Sequence, residues 1–125
     1  LRIDVEAARE YFAHPSQEYK GITADKLPGE PFQYWADGDV CGVFHPSYWP
    51  GVWAGHIAVK PEAWGHTEAP ARRIIQAFLR EQRPERLVGW IDKRNRLMVR
   101  LALRIGFQRD GEIPLPSGNI IMVGM

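Results

Sequence analysis

Cysteine is almost missing from this chain: Cys41 stands alone, so no internal disulfide can form. Long apolar runs are missing too, and nothing reads as a signal peptide, so neither a bilayer span nor secretion is indicated and a reducing, cytoplasmic setting is the expectation. Charge of one sign is not in excess. Sixteen basic residues stand against fifteen acidic ones, and a formal net charge of +1 makes no electrostatic case for nucleic acid or an anionic membrane as partner. Cys41, His45, His56 and His66 show no zinc-ligand spacing, so no metal site is expected. Internal repeats and low-complexity segments are also absent.

What is present describes one ordinary globular domain. A length of 125 residues suffices for one core and is short for two, and 45% hydrophobic with 25% charged residues argues against disorder. Residues 1–125 are therefore read as a single domain. The chain begins at Leu1, which leaves room for a strand upstream.

The pattern of residues predicts a mixed α/β layer. Asp4 can cap a helix over residues 4–14, with Val5, Ala8, Tyr11 and Phe12 on one face and Pro15 ending it. Residues 16–30 are polar, contain Gly and Pro, and read as a loop with at most one helical turn. Residues 32–36 and 40–44 flank the turn signal Asp37-Gly38-Asp39 and make a hairpin. Residues 45–51, with two prolines, form a second connection. Val52–Val59 is apolar on both faces, as a central strand would be. Between residues 70 and 82, Ala71, Ile74, Ile75, Phe78 and Leu79 keep helical spacing, and residues 87–91 form a short apolar strand parallel to Val52–Val59, completing a βαβ unit. Asn95 can cap a further helix with Leu97, Met98, Leu101, Ala102 and Ile105 inward and Gly106 at its end. Residues 107–113 and 119–123 close the chain as a hairpin.

One stretch organises the functional reading: residues 59–71, Val-Lys-Pro-Glu-Ala-Trp-Gly-His-Thr-Glu-Ala-Pro-Ala. Pro61 ends strand pairing, Gly65 permits a turn, Thr67 is placed to cap the helix, and Pro70 falls in the first turn, where an N–H would find no helical partner. Amides unpaired at residues 65–69, together with the positive end of the helix dipole, make an anion site, although Glu68 brings a negative charge to the same place.

This strand-turn-helix and the later run Asp92-Lys93-Arg94-Asn95-Arg96-Leu97-Met98 to Ile105-Gly106-Phe107 coincide in order and spacing, and together they resemble the GNAT superfamily of acyl-CoA N-acyltransferases. More particularly the pattern is similar to small GNAT-like proteins of tailed phages and prophages, some of them head-assembly or virion proteins. The resemblance implies a central mixed β-sheet with a βαβ core, helices on both faces and a C-terminal β-hairpin. It implies acetyl-CoA as cosubstrate, transfer of an acetyl group to a primary amine by direct attack in a ternary complex, and no metal. It implies that Ile57, Ala58 and Val59 pair with the cofactor arm where two parallel strands splay apart. Trp64, Gly65, His66, Thr67 and Ala69 would lie at the pyrophosphate, and Asn95 would hold the arm. His56, on the same strand, is the candidate base, with a satisfied core histidine as the alternative. Trp64 stands where the family has Arg or Gln, and the tyrosine that often protonates the departing thiolate is absent, Ala102 being nearest. The acceptor amine is not named by the sequence, a homodimer is left open, and a virion protein that keeps the fold without catalysis, with virion components as partners, is the alternative. Arg96, Arg100 and Arg104 form an i, i+4 stripe read as a solvated helix face.

Overall fold

The computed structural model describes residues 1–17 and 19–125. Seven strands form one sheet: β1 (Arg2–Ile3), β2 (Gln33–Asp37), β3 (Val40–Pro46), β4 (Val52–Val59), β5 (Arg86–Asp92), β6 (Gln108–Ile113) and β7 (Ile120–Gly124). Their spatial order is β1-β2-β3-β4-β5-β7-β6, and β4 with β5 is the single parallel pair among them. That pair is joined by α2 (Glu68–Gln82), while α1 (Val5–Ala8) precedes β2 and α3 (Arg96–Ile105) follows β5. The expected mixed sheet with a βαβ centre and a C-terminal hairpin is thus what the chain builds.

Strand alternation assigns each face its core. On one face, α2 lays Ala71, Ile74, Ile75 and Phe78 against Val40, Phe44, Val59 and Leu87. The Phe44 and Phe78 rings stack with centroids 4.0 Å apart. Glycine at 42 and 55 is what lets Phe44 lie flat: a Cβ at Gly42 would come within 2.9 Å of that ring and one at Gly55 within 3.1 Å. α3 extends the same layer, with Ala102 packed on Ile121 and Val123. On the other face Tyr11, Phe12, Tyr19 and Leu27 cover Tyr34, Cys41, Val43 and Ala58.

Several local expectations are corrected. Asp4 does cap, its Oδ1 accepting from the Ala7 amide at 2.8 Å, but the α-helix ends at Ala8 and continues only as a 3-10 turn, Arg9–Phe12. Two 3-10 turns, Pro15–Gln17 and Ala24–Lys26, interrupt the segment read as a loop. β3 runs on to Pro46 because the whole of it pairs with β4, from Val40 opposite Val59 to Pro46 opposite Trp53. Leu97 is 77% exposed rather than inward. At about 100° per residue it shares its angle on α3 with Arg100 and Arg104, whereas Met98, Leu101, Ala102 and Ile105 make the inward stripe, Ala102 buried and the other three half-buried. No helix among the described residues is long and apolar enough to cross a membrane.

Candidate active site

β4 and β5 part company where they have barely met. Their register runs only from Val52 opposite Arg86 to Ala54 opposite Val88. Beyond it β4 continues to Val59 with β3 as its partner, while β5 turns to β7, so a notch opens between two parallel strands. Gly55 and Gly89 face each other at its vertex, a Cβ on Gly89 falling 3.7 Å from the Gly55 carbonyl oxygen. A cavity of about 290 Å³ fills the notch. Its wall is apolar on the helical side, from Ile57, Ile75, Met98, Leu101 and Ile105, and polar elsewhere, from Ser16, Gln17, His56, Asp92 and Asn95.

Which backbone groups face this space follows from two hydrogen bonds. The Lys60 amide donates to the Asp39 carbonyl at 2.9 Å, on the β3 side. The Val59 amide donates the other way, to Gln17 Oε1 at 2.9 Å. Successive residues of a strand alternate the side to which they present N–H and C=O, so Val59 and Ile57 address the notch and Ala58 addresses β3. Of the three strand residues expected to hold a ligand arm, Ala58 is therefore turned away: its backbone belongs to the β3 ladder and its side chain is fully buried in the opposite core. The Val59 amide is occupied by a side chain that no sequence signal connects with it. By the same alternation the Ile57 amide points away from β3, three residues past the end of the β4–β5 register at Ala54, and Ile57 lines the cavity.

His56 also borders the cavity, but its side chain lies on the α1 face, its ring stacked on Phe12 at 6.3 Å and edge-on to Tyr19 at 5.2 Å. Burial, reinforced by the charge of Lys20, depresses its pKa to about 4. The imidazole is neutral at pH 7, as a proton acceptor must be, and a weak base for an ordinary alkylammonium. Lys20 Nζ stands 5.8 Å from the centroid of Trp90, on the same side of the notch. Asn95 spends its Oδ1 as the cap of α3, accepting from the Met98 amide at 3.2 Å, and still lines the cavity.

The loop before α2 is a separate construction. Pro61–Ala63 is a 3-10 turn and Gly65 takes φ +93°, the conformation that favours glycine. Thr67 does not cap with its side chain; its Oγ1 donates to the Ala63 carbonyl at 3.3 Å. His66 is removed from the set of unpaired amides because its N–H also donates to Ala63, at 2.8 Å. Among the described residues the amides of Gly65, Thr67, Glu68 and Ala69 have no partner. An anion is nevertheless present at this helix end: the Glu68 carboxylate lies 3.5 Å from Arg72 and 3.6 Å from Arg104. Trp64 is 55% exposed and meets the His14 ring edge-on at 5.8 Å, so it does not anchor the loop to the core. The fold thus brings His56, Ile57 and Asn95 to one cavity and leaves Trp64, Gly65, His66, Thr67 and Ala69 at a surface turn beyond it. Sequence reading missed Ser16, Gln17 and Asp92 in the cavity wall. Asp92 is held by Arg94, whose guanidinium hydrogen bonds lower its pKa to about 2, so it is an anion there and not a proton donor.

A mixed sheet whose one parallel pair splays around a cavity, with a helix starting behind the longer strand, is the fold of the GNAT acetyltransferases. The chain is similar over 97% of its length to a GNAT-family acetyltransferase from Bacillus anthracis, with 17% identity, a TM-score of 0.71 and 87% of that chain covered. It is similar over 99% to spermidine N-acetyltransferase SpeG from Vibrio cholerae, at 10% identity and TM-score 0.77, covering 90% of that chain. Over its full length it is similar to yncA, an acetyltransferase assignment from Salmonella typhimurium solved with its cofactor acetyl-CoA, at 14% identity and TM-score 0.72, covering 91% of that chain. Against ribosomal-protein-S5-alanine acetyltransferase from Vibrio fischeri the match takes in 69% of this chain and spans about half, 52%, of that one, at 12% identity and TM-score 0.61. No family model matches the chain, and no curated protein matches it in sequence.

Proposed function

We propose that the protein is an acetyl-CoA-dependent N-acyltransferase that passes an acetyl group to a primary amine by direct attack in a ternary complex. The observation that carries this reading is the notch itself, where the Ile57 amide, directed away from β3 and beyond the end of the β4–β5 register, borders a cavity of about 290 Å³. A preorganised N–H in an apolar slot suits an amide-bearing arm or the carbonyl of a thioester. Acetyl-CoA supplies the activated acyl group, and the chain's residues do the rest. Ile57 and, once Gln17 yields it, Val59 pair with the arm. The amides of Gly65, Thr67 and Ala69 approach the phosphates, with the exposed faces of Trp64 and His66 beside them. Asn95 fixes the start of α3 against the slot. His56, uncharged, takes the proton of the amine once bond formation has made that nitrogen acidic. Among the described residues no tyrosine lines the slot to protonate the leaving thiolate, and a thiol is acidic enough, at a pKa of about 8.5, to depart as the thiolate.

The fit is good along the arm and poor at the phosphates, where Glu68 stands. That carboxylate and the Gln17 side chain in the notch favour a second reading, a phage or prophage virion or head-assembly protein that keeps the fold without catalysis. Calorimetry and thermal shift with acetyl-CoA decide between them, since a ligand of the native state must raise the melting temperature. Micromolar binding, lost in an Ile57→Pro variant that still folds, supports the enzyme. No binding at millimolar acetyl-CoA refutes it and directs the search to copurification with particles.

A further inference from the structure

Charge is nearly balanced over the whole chain, yet it is strongly segregated in space. On the side of α3 turned away from the notch, a cleft of about 500 Å³ opens between the helix and the β6–β7 hairpin. Lys93 and Arg94 come to it from the turn after β5, Arg96 and Arg100 from α3, and Arg109 from β6, with Asn119 at its edge. Three successive segments, a turn, a helix and a strand within residues 93–109, thus converge five cationic side chains on one concave surface. Two carboxylates answer them. Glu112 accepts from Lys93 at 3.0 Å, from Arg109 at 2.5 Å and from the Asn119 amide at 2.5 Å. Asp92 grips Arg94 through both of its oxygens, at 3.0 and 2.7 Å. Arg96 and Arg100 have no ion-pair partner among the described residues. A local excess of three positive charges therefore sits on a chain whose formal net charge is +1.

The carboxylates do more than neutralise. By holding Lys93, Arg94 and Arg109 in place they reduce the ordering cost of binding, and the two unpaired guanidiniums supply the attraction. Guanidinium forks match tetrahedral phosphate oxygens two at a time, and the cleft has the volume of a small-molecule site rather than of a single ion. We propose that this α3–β6–β7 cleft binds a small organic polyphosphate, gripped by Arg96 and Arg100 and seated on Lys93, Arg94 and Arg109. The site is distinct from the notch: the cavity there touches Met98, Leu101 and Ile105, whereas the cleft touches Arg96, Val99 and Arg100 on another side of the same helix.

The test is calorimetric titration of the full chain with inorganic tripolyphosphate at low salt, repeated with rising salt and with a short single-stranded oligonucleotide. Saturable one-site binding is expected, weakening with salt and falling at least tenfold in Arg96→Ala/Arg100→Ala. The charge-keeping Arg96→Lys/Arg100→Lys pair should fall between that variant and the parent chain. A charge-matched control, Lys26→Ala/Arg80→Ala, on surfaces remote from the cleft, should bind as the parent does. Because these side chains are exposed, the variants are expected to melt near the parent temperature. Equal losses in the control, non-saturable binding, or competition between tripolyphosphate and acetyl-CoA for one site would each overturn the proposal. An oligonucleotide bound more than tenfold tighter than tripolyphosphate, through the same arginines, would overturn it in favour of nucleic acid.

Discussion

His56 makes the protein acid-sensitive from pH 6.5 down to about 5, above the range in which the carboxylates with shifted pKa values titrate. Its pKa falls from 6.5 to about 4 on folding, mainly through burial. A base with a depressed folded pKa leaves stability untouched well above 6.5. As pH falls below 6.5 the unfolded chain takes up a proton that the native chain refuses, and stability drops by about 1.4 kcal/mol per pH unit until about pH 4, where the loss levels off. The loss is of the order of 1 kcal/mol at pH 5.5 and about 2–3 kcal/mol at pH 4.5. The carboxylates whose pKa values are lowered, Asp25, Asp37, Asp92 and Glu112, begin to contribute as pH falls below about 5, into the ordinary carboxylate range. Urea unfolding at pH 7.5, 6.5, 5.5 and 4.5, for the parent chain and His56→Leu, isolates the effect. The parent should lose stability across the interval and His56→Leu should stay nearly flat until pH 4.5. Parallel curves for the two proteins would refute the burial of a neutral imidazole, and with it the environment assigned to the candidate base.

Gln17→Ala removes the side chain bonded to the Val59 amide. It should tighten acetyl-CoA binding roughly twofold to tenfold, the equivalent of one hydrogen bond no longer displaced, measured by calorimetry. Glu68→Gln frees Arg72 and Arg104 and removes the charge at the start of α2. Acetyl-CoA affinity should rise several-fold at low salt, and the gain should shrink as salt is added. Phe78→Ala empties the centre of the α2 face, where Phe78 is fully buried and stacked on Phe44, and should cost about 3–5 kcal/mol in urea unfolding. Gly42→Ala presses a methyl group onto Phe44 and Ile74 and should cost about 1–3 kcal/mol in the same assay.

Elements whose signals are local were legible in the sequence. The apolar run Val52–Val59, the helical spacing of Ala71, Ile74, Ile75 and Phe78, the Asn95 cap and the Gly106 stop each depend on residues within a turn or two of one another, and each is found where it was read. Order and spacing of those elements carried the GNAT likeness, and the fold bears it out. Tertiary structure alone decided which groups meet. Gln17 reaches Val59 across 42 residues of sequence, and nothing near either residue encodes that bond. Ala58 turns from the notch because β3 claims its backbone, a matter of sheet register. Thr67 was a sound local candidate for a cap, and the Ala63 carbonyl, brought close by the 3-10 turn before it, took its hydroxyl instead. The stripe Arg96, Arg100 and Arg104 looks like a plain solvated face in sequence. It divides in three dimensions because Glu68 draws Arg104 toward α2 while the β6–β7 hairpin sets Arg109 beside the other two. Local chemistry fixes what a segment becomes; which amide stays unpaired, and which charges gather, is fixed by the contacts the whole sheet imposes.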